Sequence, residues 1–92
     1  MHGEYKVPGG KLVVVDLDTC AGRLCHVQVS GDFFLEPPEA LALINAALEG
    51  QAIDASESQL EQSVASALGS DTMMFGFSAA AVATSVRRAL AA

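Results

Sequence analysis

Phe33 and Phe34 stand side by side after the bend-prone Ser30-Gly31-Asp32, and this pair constrains the fold more than any other stretch. In extended backbone, neighbouring side chains point to opposite faces of a sheet, so two adjacent aromatics demand apolar cover on both sides. A chain of 92 residues rarely supplies both covers itself. One aromatic is therefore expected to serve the core and the other a partner. On a straight strand Phe33 falls on the helix-covered side and Phe34 on the open side, and a bulge at glycine exchanges them.

Two β-prone runs, Leu12 to Leu17 and Leu24 to Val29, flank Cys20-Ala21-Gly22 and predict a hairpin. A three-residue loop with Gly22 in the left-handed conformation pairs Val13, Val15 and Leu17 with Val29, Val27 and Cys25, which makes one face wholly apolar. The other face pairs Leu12 with Ser30, Val14 with Gln28, Asp16 with His26 and Asp18 with Leu24. A slip of one residue scrambles this division, which favours that register. Residues 1 to 10 end in the turn-prone Pro8-Gly9-Gly10 and read as an arm or linker ahead of a domain over 11–92, with a short edge strand around Tyr5 to Val7 as the alternative.

After Phe34 the period becomes helical. Pro37-Pro38-Glu39 opens a helix with the stripe Leu41, Ile44, Leu48, and Gly50 stops it. Ser56 caps a second helix, with Gln59 completing a capping box and Leu60, Val64 and Leu68 on its stripe, up to Gly69. A third starts at Ser78, with Phe77 and Val82 as a hydrophobic staple and Val82, Val86 and Leu90 as its stripe. The fold class is therefore α+β: a small antiparallel sheet, hairpin plus short strand, with three helices on one face. Leu12, Val14 and Phe34 then form a half-exposed docking patch on the open face, unless the arm or the last helix folds over it.

A net charge of -6, from eleven acidic and five basic residues, opposes binding to nucleic acid or anionic membranes. The N-terminus lacks the apolar run of a secretion signal, no stretch is long enough to span a bilayer, and two cysteines fit a reducing compartment, so the chain reads as cytoplasmic. Cys20, Cys25 and His26 have the wrong spacing for zinc. In the preferred register Cys25 faces the core and Cys20 lies in the turn, which makes a disulfide awkward. Asp16 opposite His26 reads as an exposed ion pair with no nucleophile beside it. Gly9-Gly10-Lys11 lacks the spacing and the following helix of a phosphate-binding loop, yet a flexible glycine pair lets Lys6 or Lys11 reach an anion held by a partner. No residue is read as catalytic or metal-binding.

Gly9-Gly10-Lys11-Leu12, Ala21-Gly22-Arg23-Leu24, Ser30-Gly31-Asp32-Phe33-Phe34, Ala47-Leu48-Glu49-Gly50 and Met74-Phe75-Gly76-Phe77-Ser78, in that order and spacing, resemble the C-terminal accessory domain of lipoate-protein ligases, or the separate small subunit of a split ligase. Met1 just ahead of a linker-like arm leads to the expectation of a separate subunit. The resemblance implies a non-catalytic part that supports lipoyl-adenylate formation by a separate catalytic domain. It would bind no cofactor alone, with ATP, Mg and lipoate expected in the assembled ligase. Its implied partners are the large catalytic subunit and, indirectly, lipoyl acceptor domains. The fold so implied is similar to that of iron-sulfur scaffold and sulfur-acceptor proteins, although the reactive cysteines of those proteins have no counterpart in Cys20 and Cys25. A small sulfur-carrier, redox or iron-sulfur assembly-like module and a standalone interaction domain are the alternatives.

Overall fold

Alternation along Leu12–Cys20 sends Val13, Val15 and Leu17 inward, and that inward row organises the fold of the computed structural model. The structure describes residues 1–91; Ala92, the last residue of the expected domain, lies outside the described residues. Strands β1 (His2–Lys6), β2 (Leu12–Cys20) and β3 (Arg23–Gly31) form an antiparallel sheet in the order β1-β2-β3. Strands β4 (Phe34–Glu36) and β5 (Met73–Phe75) form a second, two-stranded ribbon. Helices α1 (Ala40–Leu48), α2 (Glu57–Ala67) and α3 (Ala79–Ala91) complete the α+β architecture.

The helices start where their caps predict. Ser56 accepts from the Gln59 backbone while the Gln59 side chain accepts from the Ser56 N–H, so the capping box of α2 is complete. The Ser78 hydroxyl accepts from the Ala81 N–H at 3.2 Å at the head of α3. Ile44, Leu48, Leu60, Val64, Phe77, Val82 and Val86 lie in one core with the inward residues of β2 and β3, whereas Leu41, Leu68 and Leu90 pack at its margin.

Within the segment read as an arm or linker, His2–Lys6 pairs with β2 from His2 opposite Asp16 to Lys6 opposite Leu12. This is the edge-strand alternative, set closer to the N-terminus than the sequence suggests. Its anchor is a close approach: a Cβ on Gly3 would lie 2.3 Å from the Ser85 carbonyl oxygen and 2.4 Å from the Ala89 nitrogen. Only glycine lets α3 come so near the strand. Arg88 donates from Nη1 to the Glu4 carbonyl at 3.1 Å and lies 4.9 Å from the centroid of Tyr5, so the last helix also holds the strand from outside.

The hairpin register differs from the expected one. The loop is the two-residue Ala21-Gly22, with φ of 53° and 79°, as a turn with two left-handed residues requires. Near the turn Cys20 faces Arg23, Thr19 faces Leu24 and Asp18 faces Cys25; beyond it Asp16 faces Gln28, Val14 faces Ser30 and Val13 faces Gly31. The change of register sets Leu17 against both His26 and Val27, a bulge with His26 at φ 53°. Leu24 takes the buried position assigned to Cys25.

Two expectations fall with that register. A shift of one residue moves a side chain to the other face, so Cys20 and Cys25 become diagonal neighbours on the open face. They form a disulfide with Cα atoms 6.0 Å apart, which corrects the buried-thiol reading and removes the two cysteines as an argument for a reducing compartment. Asp16 does not pair with His26; it bonds His2, and His26 bonds Asp18 at 3.1 Å.

The outer edge of β3 is closed by α1 and the chain after it. The Glu49 carboxylate accepts from the N–H groups of His26 and Val27, both at 3.1 Å, and Asn45 Oδ1 accepts from Val29 N–H at 2.9 Å. Leu24 exchanges backbone hydrogen bonds with Gln51 and Gly50. Side chains thus pair the donors that a bulged edge would leave open.

Candidate functional site

The chain breaks between β3 and β4 at Asp32 and Phe33, and this break sorts the aromatic pair. Phe33 turns inward and stacks on Phe77, with ring centroids 3.8 Å apart and planes inclined by 21°. Phe34 is 71% exposed. The expected division of the pair therefore holds, although β4 leaves the main sheet and pairs with β5 instead.

That pairing sets Phe34 opposite Phe75, Leu35 opposite Met74 and Glu36 opposite Met73. Directly opposed residues share a face, so Phe34, Glu36, Met73 and Phe75 lie together on the outward side. All four are exposed, while Leu35 is buried and Met74 packs against the core on the reverse side. Met73 and Phe75 escape sequence reasoning because a three-residue strand carries too little alternation to be seen. Their apolar character beside Gly76 was the one available signal.

The other residues expected at a docking surface lie elsewhere. Leu12 and Val14 are half-buried on the open face of the three-stranded sheet, where Leu12 faces Lys6 and Val14 faces Glu4 and Ser30. They share a sheet face with each other, and Phe34 sits on the separate ribbon. The two lysines also part company. Lys6 Nζ donates to the carbonyls of Gly10 at 2.5 Å and Val7 at 3.2 Å, closing its own turn. Lys11 donates its backbone N–H to Gly76 and lies so close to it that a Cβ on that glycine would sit 2.4 Å from Lys11 Cγ.

Farther along the open face, His2 reaches Asp16 through Nδ1 and Glu4 through Nε2, both at 2.7 Å. Each nitrogen meets a carboxylate, so the doubly protonated ring, a donor at both positions, fits best. Hydrogen bonding to Glu4 first and then to Asp16 raises the His2 pKa above its ordinary value. Among the described residues no group of three or more His, Cys, Asp or Glu is arranged to hold a metal ion, and no helix is long and apolar enough to cross a membrane. An open groove between 51–55 and α2 is lined by polar side chains such as Gln51, Asp54, Gln59 and Gln62, and contains none of the expected site residues.

No family model and no curated protein matches the chain. A solved structure does: a chain from the archaeal lipoylation system of Thermoplasma acidophilum, described as a bi-partite lipoate protein ligase and its E2 lipoyl domain. The likeness covers 95% of this chain and 98% of that one, with a TM-score of 0.72 at 21% identity. The protein thus has, over nearly its whole length, the fold of a component of a two-part lipoate ligase system.

Proposed function

We propose that this chain is the non-catalytic accessory part of an ATP-dependent lipoate-protein ligase, supporting lipoyl-adenylate formation by a separate catalytic chain or domain. The observation that carries the reading is the fold likeness over nearly all of both chains, to a component of a bi-partite ligase system. The motifs from Gly9-Gly10-Lys11-Leu12 to Met74-Phe75-Gly76-Phe77-Ser78 support it independently.

In this reading ATP, Mg and lipoate are held by the catalytic partner, and this chain supplies a rigid docking body. Such a body excludes water from an adenylation site and limits the motion of a nucleotide without offering a nucleophile. Phe34 on the ribbon, and Leu12 and Val14 on the sheet, are the proposed contacts with the partner. Lys11 is the better placed of the two proposed phosphate contacts, because Lys6 already spends its ammonium on the Val7 and Gly10 carbonyls. Lipoyl acceptor domains are served indirectly, through the assembled enzyme, and the working compartment is the cytoplasm.

A mixing assay tests the proposal. The purified chain alone is expected to form no lipoyl-adenylate, and to restore its formation when added to the cognate catalytic chain. No gain in adenylate on mixing would sink it.

A further inference from the structure

The outward face of the β4–β5 ribbon exposes two aromatics and a methionine, with Phe34 at 71%, Met73 at 55% and Phe75 at 45% exposure. Aromatic and methionine side chains are enriched at the centres of protein interfaces, and a clustered apolar face is uncommon on a free surface. The reverse side of the ribbon is anchored through Leu35 and Met74, so this face is presented on a fixed backbone.

Charge selects the partner. No Lys, Arg or His lies between His26 and Arg87, whereas eight of the eleven acidic residues do. Of these, Glu36 sits on the face opposite Met73, Asp32 and Glu39 flank β4, and Asp71 precedes β5. The exception is Lys11, whose stem packs over Gly76 beside the end of β5. We infer that the Phe34, Met73 and Phe75 face docks an apolar patch, bordered by lysine or arginine, on a partner protein. A second copy of this chain is disfavoured, because self-association would bring two sets of the same carboxylates together.

The inference rests on the proposed ligase reading only for the identity of the partner, the catalytic ligase chain. Titration calorimetry of that chain against the wild type, the Phe34→Ser/Met73→Ser double variant and Glu36→Lys tests it, with circular dichroism confirming that each variant is folded. The double variant is expected to lose about a hundredfold in affinity, as truncated interface anchors do. Glu36→Lys is expected to lose about tenfold, with a flatter dependence on salt. A folded double variant that binds as well as wild type overturns the docking inference and leaves the ligase reading standing.

Should the wild type not bind the catalytic chain, the ligase reading fails and two peptides decide the inference. Both carry a Phe-Leu-Phe centre, one flanked by lysines and the other by glutamates. Amide shifts confined to 34–36 and 73–75 with the lysine peptide alone support the inference; equal shifts with both, shifts elsewhere or none overturn it. A concentration-dependent dimer that the double variant abolishes also overturns it.

Discussion

The β2–β3 hairpin and the β4–β5 ribbon are both antiparallel pairs, yet they spend their apolar residues in opposite ways. The hairpin drives Val13, Val15, Leu24, Val27 and Val29 into the core and lines its open face with Asp16, Asp18, Gln28 and Ser30, beside the half-buried Leu12 and Val14. The ribbon commits Leu35 inward and leaves Phe34, Met73 and Phe75 outside. The sheet also has its edges managed, by Glu49, Asn45 and residues 50–53 on β3 and by Arg88 on β1. The difference separates a region that buries most of its apolar side chains from one that leaves three of them exposed.

The contrast breaks most readily at Gly3. Gly3→Ala places a methyl group against the backbone of α3, and neither strand nor helix can yield cheaply. It is expected to cost about 3 kcal/mol or more, read as a fall in the denaturant midpoint. A normal midpoint would mean that β1 is a loosely attached arm.

Within the ribbon, two neighbours should behave oppositely. Leu35→Ala removes a buried side chain and is expected to cost about 2–3 kcal/mol. Phe34→Ser, on the next residue, should change stability by less than about 0.5 kcal/mol. Chemical denaturation of both variants gives the comparison, and equal losses would erase the distinction between the two faces.

Glu49 tests the guarded edge of β3. Glu49→Ala strands two backbone donors at the bulge and is expected to cost about 1–2 kcal/mol, with Glu49→Gln losing less because one acceptor oxygen remains. Thermal unfolding would show that order; indistinguishable midpoints for Ala and Gln would deny the carboxylate its role.

The smallest effect belongs to His2. Because its folded pKa is raised, its stabilisation is fully present below the ordinary value of 6.5 and is lost as pH rises through the raised value. His2→Asn should therefore flatten the change in melting temperature just above pH 6.5, and an unchanged slope would exclude the His2 contacts with Glu4 and Asp16 as its source.

The residues that announce themselves do so through local chemistry. Ser56 with Gln59 and Ser78 mark helix starts because a cap is made within one turn of chain, and Phe33 beside Phe34 forces a divided environment wherever the strand lies. The hairpin register needed more than local chemistry. Ala21 adopts a positive φ with no glycine to advertise it, and His26 occupies a bulge held by Glu49 from another element. The disulfide was illegible for the same reason, since it follows from the register. Met73 and Phe75 gain their meaning only when β5 finds β4, a pairing across 36 intervening residues that no short window contains.

Hydrogen exchange on the chain alone and in the presence of the catalytic ligase chain tests the division between sheet and ribbon most directly. Amides of β1 and β3 should be protected to the same degree in both, while those of β4 and β5 exchange readily alone and slow down on mixing. Protection that appears on the three-stranded sheet but spares β4 and β5, or no change anywhere, would contradict a ribbon that docks.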